Sequence, residues 1–267
     1  MKRRDFLAAG GVGLTATALS VTPQVSADNP KDPFAEREFI EFRTYLVKNE
    51  TKQTLLVETL DNALIPALNA QGIKPVGVFV PLEKNPQNRL QVLVVIPHKT
   101  LDSYLNLTAK LLADADYRKN AAVFFETNSK DPAYISYESS LLRGFENCPK
   151  LETPNLGSHR IFQARIYRSF NIERNAAKIH MFERGGEMEL FRELGISPIF
   201  FGEALSGKML PNLTYMVGSE SLEKHEKAWK DFVAHPRWEA IKNNPAYADT
   251  ATEISRVMLK PSPGSQI

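Results

Sequence analysis

Two hydrophobic periods alternate along the chain. Phe39-Ile40-Glu41-Phe42-Arg43-Thr44-Tyr45-Leu46-Val47 changes character at every second residue and is rich in β-branched and aromatic types, which predicts a strand. From Thr51 to about Ala70 the period lengthens. Leu55, Leu56, Leu60, Ala63, Leu64 and Leu68 fall on one helical face, with Asn49 or Thr51 to cap the start and Gly72 to end it. Strands at 74–82 and 90–96 flank the turn Asn85-Pro86-Gln87-Asn88, a helix runs from Leu101 to about Leu112, and a strand closes the unit at 134–142. The order is βαββαβ, a ferredoxin-like split unit.

The same order then returns. Strands are predicted at 161–170, 198–205, 213–217 and 251–259, and helices at 173–194, weakened at Gly185-Gly186, and at 222–234. Landmarks recur at an offset of about 120 residues: Arg43-Thr44-Tyr45 with Arg165-Ile166-Tyr167, Gly72-Ile73 with Gly195-Ile196, Leu101 with Leu222, Tyr117 with Trp238. The fold class is α+β, built from two tandem units at 38–147 and 158–260. A proline-rich linker at 148–157 separates them, a linker at 28–37 precedes them and a tail at 261–267 follows.

Glu41-Phe42-Arg43-Thr44-Tyr45, Gln163-Ala164-Arg165-Ile166-Tyr167 and His235-Pro236-Arg237-Trp238 together resemble the NIPSNAP family, whose members belong to the dimeric α+β barrel superfamily. The first unit departs from the pattern, with Asp114-Ala115-Asp116-Tyr117 where the second has His-Pro-Arg-Trp. The resemblance implies that the two units close into a pseudo-dimeric barrel within one chain. It leaves three functions open: a binding protein for a small molecule or partner, an enzyme of the superfamily (a cofactor-free monooxygenase, an isomerase or a haem-related protein), or an interaction module.

Both faces of each sheet carry apolar residues, so each needs a cover. Ile40, Phe42, Phe162 and Ala164 suit the helix layer, which directs Glu41, Arg43, Tyr45, Arg165, Tyr167, Glu203 and Arg256 towards the barrel interior. Charged groups there must pair or meet a ligand. Arg43 or Arg165 with Glu41 or Glu203 would form internal salt bridges. Alternatively Arg43, Arg165 and Glu203 floor a cavity for a small anion or aromatic acid, walled by Tyr45, Tyr167 and Tyr215. The superfamily resemblance adds His180 as a helix histidine that could line a cavity, with haem as the only cofactor it suggests.

The N-terminus reads as an export signal. Arg3 and Arg4 stand before Phe6 and Leu7, a mild apolar run follows, and Val25-Ser26-Ala27 offers a cleavage site between Ala27 and Asp28. The arginine pair resembles the twin-arginine route, which places the mature protein in the periplasm or another extracytoplasmic space. The apolar run is shorter than the ~20 residues of a membrane-spanning helix. Three of the 33 basic and one of the 31 acidic side chains fall in the first 27 residues, leaving the remainder neutral. That balance argues against nucleic acid as a partner.

The single cysteine, Cys148, excludes an intramolecular disulfide and cysteine metal clusters. The five histidines show no metal-site spacing, and there is no nucleophile elbow and no P-loop. His225, between Glu223 and Glu226, is expected in solvent, Trp229 in a core, and Cys148 as a structural thiol.

Overall fold

The computed structural model describes residues 36–267. The twin-arginine motif, the Ala27–Asp28 junction and nearly all of the expected 28–37 linker lie outside the described residues. The first half contributes β1 (Phe39–Val47), β2 (Gly77–Pro81), β3 (Leu90–His98) and β4 (Ser136–Gly144). The second contributes β5 (Ile161–Arg168), β6 (Ser197–Ser206), β7 (Asn212–Ser219) and β8 (Glu253–Pro261). Within each half the strands lie in the order β4-β1-β3-β2 and β8-β5-β7-β6. Antiparallel pairing of β2 with β8 and of β4 with β6 joins the two sheets into one closed barrel. Closure leaves neither sheet with an unpaired edge.

Helices pack outside this barrel. In the first half α1 (Glu50–Thr59) continues through a π-helical turn (Leu60–Leu64) into α2 (Ile65–Ala70), and α3 (Leu101–Ala113), α4 (Ala115–Asn120) and α5 (Ala122–Phe125) follow β3. Pro66, which has no N–H for the helical ladder, stands just past the π turn. In the second half α6 (Ile172–Glu183) and α7 (Glu187–Glu193) flank Gly185-Gly186, and α8 (Leu222–Ala234) and α9 (Pro236–Lys242) follow β7. Equivalent caps hold equivalent helices: the side chains of Asn49 and Asn171 accept from backbone N–H groups three residues on, as do those of Thr100 and Ser221. Gly72 and Gly195 end the first helical stretch of each half with φ of +75° and +78°, where a side chain would be strained.

Three apolar cores result. One lies between the first-half helices and their sheet and includes Val47, Leu56, Leu64, Val78, Val94 and Leu107. One lies between the second-half helices and theirs and includes Phe182, Leu190, Phe191, Phe201, Tyr215 and Phe232. The third fills the barrel from both halves, with Ile40, Phe42, Phe79, Val95, Phe162, Phe200 and Met216 among its residues. Phe42 meets Phe200 at 6.0 Å and Phe79 meets Phe162 at 5.0 Å between ring centroids, each pair bridging the halves.

This arrangement corrects the expected facing. Ile40, Phe42, Phe162 and Ala164 point into the barrel, whereas Tyr45, Tyr167 and Tyr215 belong to the helix-side cores. A closed barrel admits no helix to bring polar partners, so its lining is the more apolar face, without charged heads. The face with charged heads goes under the helices, where hydroxyls, carboxylates and solvent at the helix ends can meet them. The 261–267 segment also differs from the expected tail. Its backbone and side chains bond to β2 and the residue before it: Val78 N donates to Ser265 Oγ, Val76 N to Gln266 Oε1, and Gln266 N to Val76 O. Ile267 is buried in the barrel core.

Candidate functional site

In the first half the outer sheet face carries a closed polar network. Arg43 donates to both oxygens of Glu41 at 2.5 and 2.9 Å, and Ser139 Oγ donates to Glu41 Oε1 at 2.7 Å. His98 Nε2 lies 3.4 Å from Glu41 Oε2, and its Nδ1 lies 3.0 Å from Ser103 Oγ. Burial by itself would raise the Glu41 carboxyl. Hydrogen bonds from His98, Arg43 and Ser139, with the Arg43 charge, outweigh it and hold the group at about 2. Tyr45 packs against Tyr134 and Tyr137 at 5.3 and 5.2 Å, filling the space beside the guanidinium. Arg43 is therefore neutralised and enclosed, as the salt-bridge expectation had it.

The second half repeats the strand but not the network. Gln163 takes the place of Glu41 in the repeated strand motif, and Arg165 forms no ion pair among the described residues. Its Nη1 donates to the hydroxyls of Tyr167 and Tyr215 at 3.1 and 3.3 Å, and its guanidinium lies 4.0 Å from the centroid of the Trp229 ring. Arg165 Nε and Trp229 Nε1 are buried and meet no acceptor among the described residues. Beside these two residues opens a cavity of about 400 Å³ between the sheet and α6, α7, α8 and α9. Trp229, Trp238, Phe232 and Tyr167 line it, as do Lys178 and Glu187. This volume lies within the range of small-molecule sites, and its mix of aromatic walls and few charged groups is typical of them.

Of the residues expected from sequence, the cavity brings together Arg165 and Tyr167, with Tyr215 directly beneath. Arg43 and Tyr45 belong to the closed network of the other half. Glu203 lies instead at the β4–β6 seam, paired with Arg143 at 2.7 Å. His180 is exposed on α6, its Nδ1 3.0 Å from the Tyr247 hydroxyl, and does not line the cavity. His225 is buried rather than solvated: its Nδ1 lies 3.2 Å from Ser219 Oγ, and burial together with the Arg165 charge lowers it to about 4. Cys148 is buried, as expected, and burial next to Glu152 pushes its thiol up to about 12. A smaller cavity of about 230 Å³ lies by the start of α3, lined by Lys74, Lys99, Ser103 and Lys110, and contains none of the expected site residues. No group of three or more metal-ligating side chains occurs among the described residues.

Sequence reasoning missed Lys178 and Glu187. They form an ion pair at 2.9 Å and are only 6% and 2% exposed at the side chain. The repeat held the signal. Seven residues past the equivalent caps Asn49 and Asn171 stand Leu56 and Lys178, and eight residues before Gly72 and Gly195 stand Leu64 and Glu187. At these counted positions the second half carries charge and the first carries leucine.

Comparison with known proteins agrees with the fold. A candidate monooxygenase from Lactobacillus acidophilus superposes with a TM-score of 0.55 at 6% identity, covering 84% of this chain and 94% of its own. One from Fusobacterium nucleatum gives 0.53 at 10% identity, over 84% and 92%. A NIPSNAP-like domain protein from Burkholderia xenovorans matches at 21% identity over 40% of this chain and 89% of its own, with a TM-score of 0.36. No curated protein matches the sequence. Residues 162–266 match the NIPSNAP family model. The segment that carries the open arginine thus matches the NIPSNAP family model, within a closed single-chain α+β barrel whose fold is shared with the two monooxygenase-like structures.

Proposed function

We propose that this protein binds a small aromatic carboxylate in the second-half cavity, with Arg165 as the anion anchor and Trp229, Trp238 and Tyr167 as walls. One observation carries the reading. Two arginines occupy equivalent strand positions, but Arg43 is ion-paired with Glu41, whereas Arg165 forms no ion pair among the described residues and lines the cavity of about 400 Å³. Arg165 is partly exposed and lines the cavity without an ion-paired carboxylate among the described residues, and a ligand carboxylate would supply there what Glu41 supplies in the other half. Haem is a separate outcome of a binding test: the cavity lining holds no histidine or cysteine, but it includes Tyr167, Tyr247 and Met181, side-chain types that haem iron accepts.

The test is direct, because Trp229 and Trp238 are the two tryptophans of the chain and both line the cavity. Titration with aromatic carboxylates such as cinnamate or phenylpyruvate quenches their fluorescence. Arg165→Met weakens binding about 10- to 100-fold, the value of a charged hydrogen bond. Equal affinity in that variant would refute the anchor.

We also propose that the chain is exported by the twin-arginine route and cut after Ala27. The supporting features are Arg3, Arg4, Phe6 and Leu7 with the small residues before Asp28. N-terminal sequencing of protein recovered from outside the cytoplasm should begin at Asp28. Replacing both arginines with lysine should leave the uncut chain inside.

A further inference from the structure

We infer that Lys178 and Glu187 are a proton-transfer pair, and that the cavity enolises an aromatic 2-oxo acid held at Arg165. The inference rests on the carboxylate-binding reading above and extends it from binding to chemistry.

Three observations carry it. Lys178, Glu187 and Arg165 line one cavity, so a ligand anchored at Arg165 shares it with both partners of the pair. The pair itself is buried, its ammonium held by aromatic faces as well as by its carboxylate partner. Lys178 Nζ sits 4.5 Å from the Phe182 ring centroid, 5.1 Å from that of Tyr167 and 3.2 Å from Met181 Sδ, and its one carboxylate partner is Glu187 at 2.9 Å. Third, the first half folds with leucines at the positions counted to correspond to the pair. Apolar residues commonly replace a buried ion pair at no cost or with a gain in stability. The first half shows that replacement in place, with Leu56 and Leu64 buried in its core. A charged pair kept where leucines suffice, beside an open arginine, points to chemistry. Burial raises the Glu187 carboxyl against the opposing charges of Lys178 and Arg165, towards the range of a general base.

The step balances within the pair. Glu187 carboxylate takes a proton from C3 of the 2-oxo acid. The C3–H electron pair becomes the C2=C3 bond, and the carbonyl π pair moves to oxygen, which receives a proton from the Lys178 ammonium. The product is the enol, with a protonated Glu187 and a neutral Lys178. Proton transfer from Glu187 to Lys178 across their contact restores the starting state.

Phenylpyruvate in D2O is the probe, and proton NMR follows loss of its C3 signal with the full chain. The wild type should exchange C3 protons about 100-fold or more above buffer, the usual reach of a placed acid–base pair. Glu187→Gln and the double variant K178L/E187L should lose that excess at phenylpyruvate concentrations that saturate each variant, set by its own tryptophan titration. The double variant carries the first half's residues, so it should melt no lower than the wild type. Undiminished exchange in the folded double variant overturns the inference. So does a wild-type chain that fails to bind phenylpyruvate. A chain that binds it through Arg165 yet shows no exchange overturns the inference alone and leaves the carboxylate-binding reading intact.

Discussion

Glu41 sits 3% exposed under the first-half helices, with Arg43, Ser139 and His98 all directed at its carboxylate. Its ordinary value is 4.5 and its folded value about 2. The stabilisation it supplies, on the order of 3 kcal/mol, is full above the ordinary value and is lost as pH falls towards the folded one. Glu41→Gln installs the residue that the second half carries. We expect it to lower stability at about pH 7 by a few kcal/mol, because Arg43 loses its counter-charge, and to flatten the loss of stability between about pH 4.5 and 2. Urea denaturation across that range measures both. At this scale the sequence was readable in types and less so in surroundings. Arg43 and Arg165 stood out as a repeated pair, but only neighbours from other elements decide which is satisfied. His225 was misplaced because Glu223 and Glu226 flank it in sequence. Its helical phase with Ala228 and Phe232, both buried, was the better guide.

The strands and helices followed from periodicity and from their caps, with boundaries shifted by a few residues. What periodicity does not encode is how one sheet edge meets the other. At the β4–β6 seam Gly144 stands opposite Gly202, and both positions are closely approached. A Cβ on Gly202 would lie 2.7 Å from Leu142 Cβ, and one on Gly144 would lie 2.7 Å from Pro149 O. The register also shifts there, between Leu141 and Leu142. Gly202→Ala must push the two strands apart, and we expect a loss of about 1–3 kcal/mol, measured as a lower denaturation midpoint with an unchanged slope. The same substitution at Gly157, where nothing lies within 4 Å of the added carbon, meets only the strain of its positive φ.

For the molecule as a whole, duplication and closure were readable because each unit alone would leave an apolar sheet face in water. The side that each strand turns inward was not. Alternation tells which residues share a face, and either face could have been lined by its mixture of tyrosine, arginine and valine. Topology decides it: the strands close on themselves, and the interior is filled by an apolar cluster that includes Phe42, Phe162 and Phe200. The helix-covered faces become the places where polar side chains can be accommodated or exposed to a guest.

Joining the halves covalently has one more effect. A ring assembled from two identical subunits must display every pocket twice, and any residue suited to chemistry is also imposed on the copy that only needs to hold shape. Here each half is spelled separately, so one can remain a rigid buttress with its arginine sealed while the other departs from it. Asymmetry of this kind is open only to the fused form.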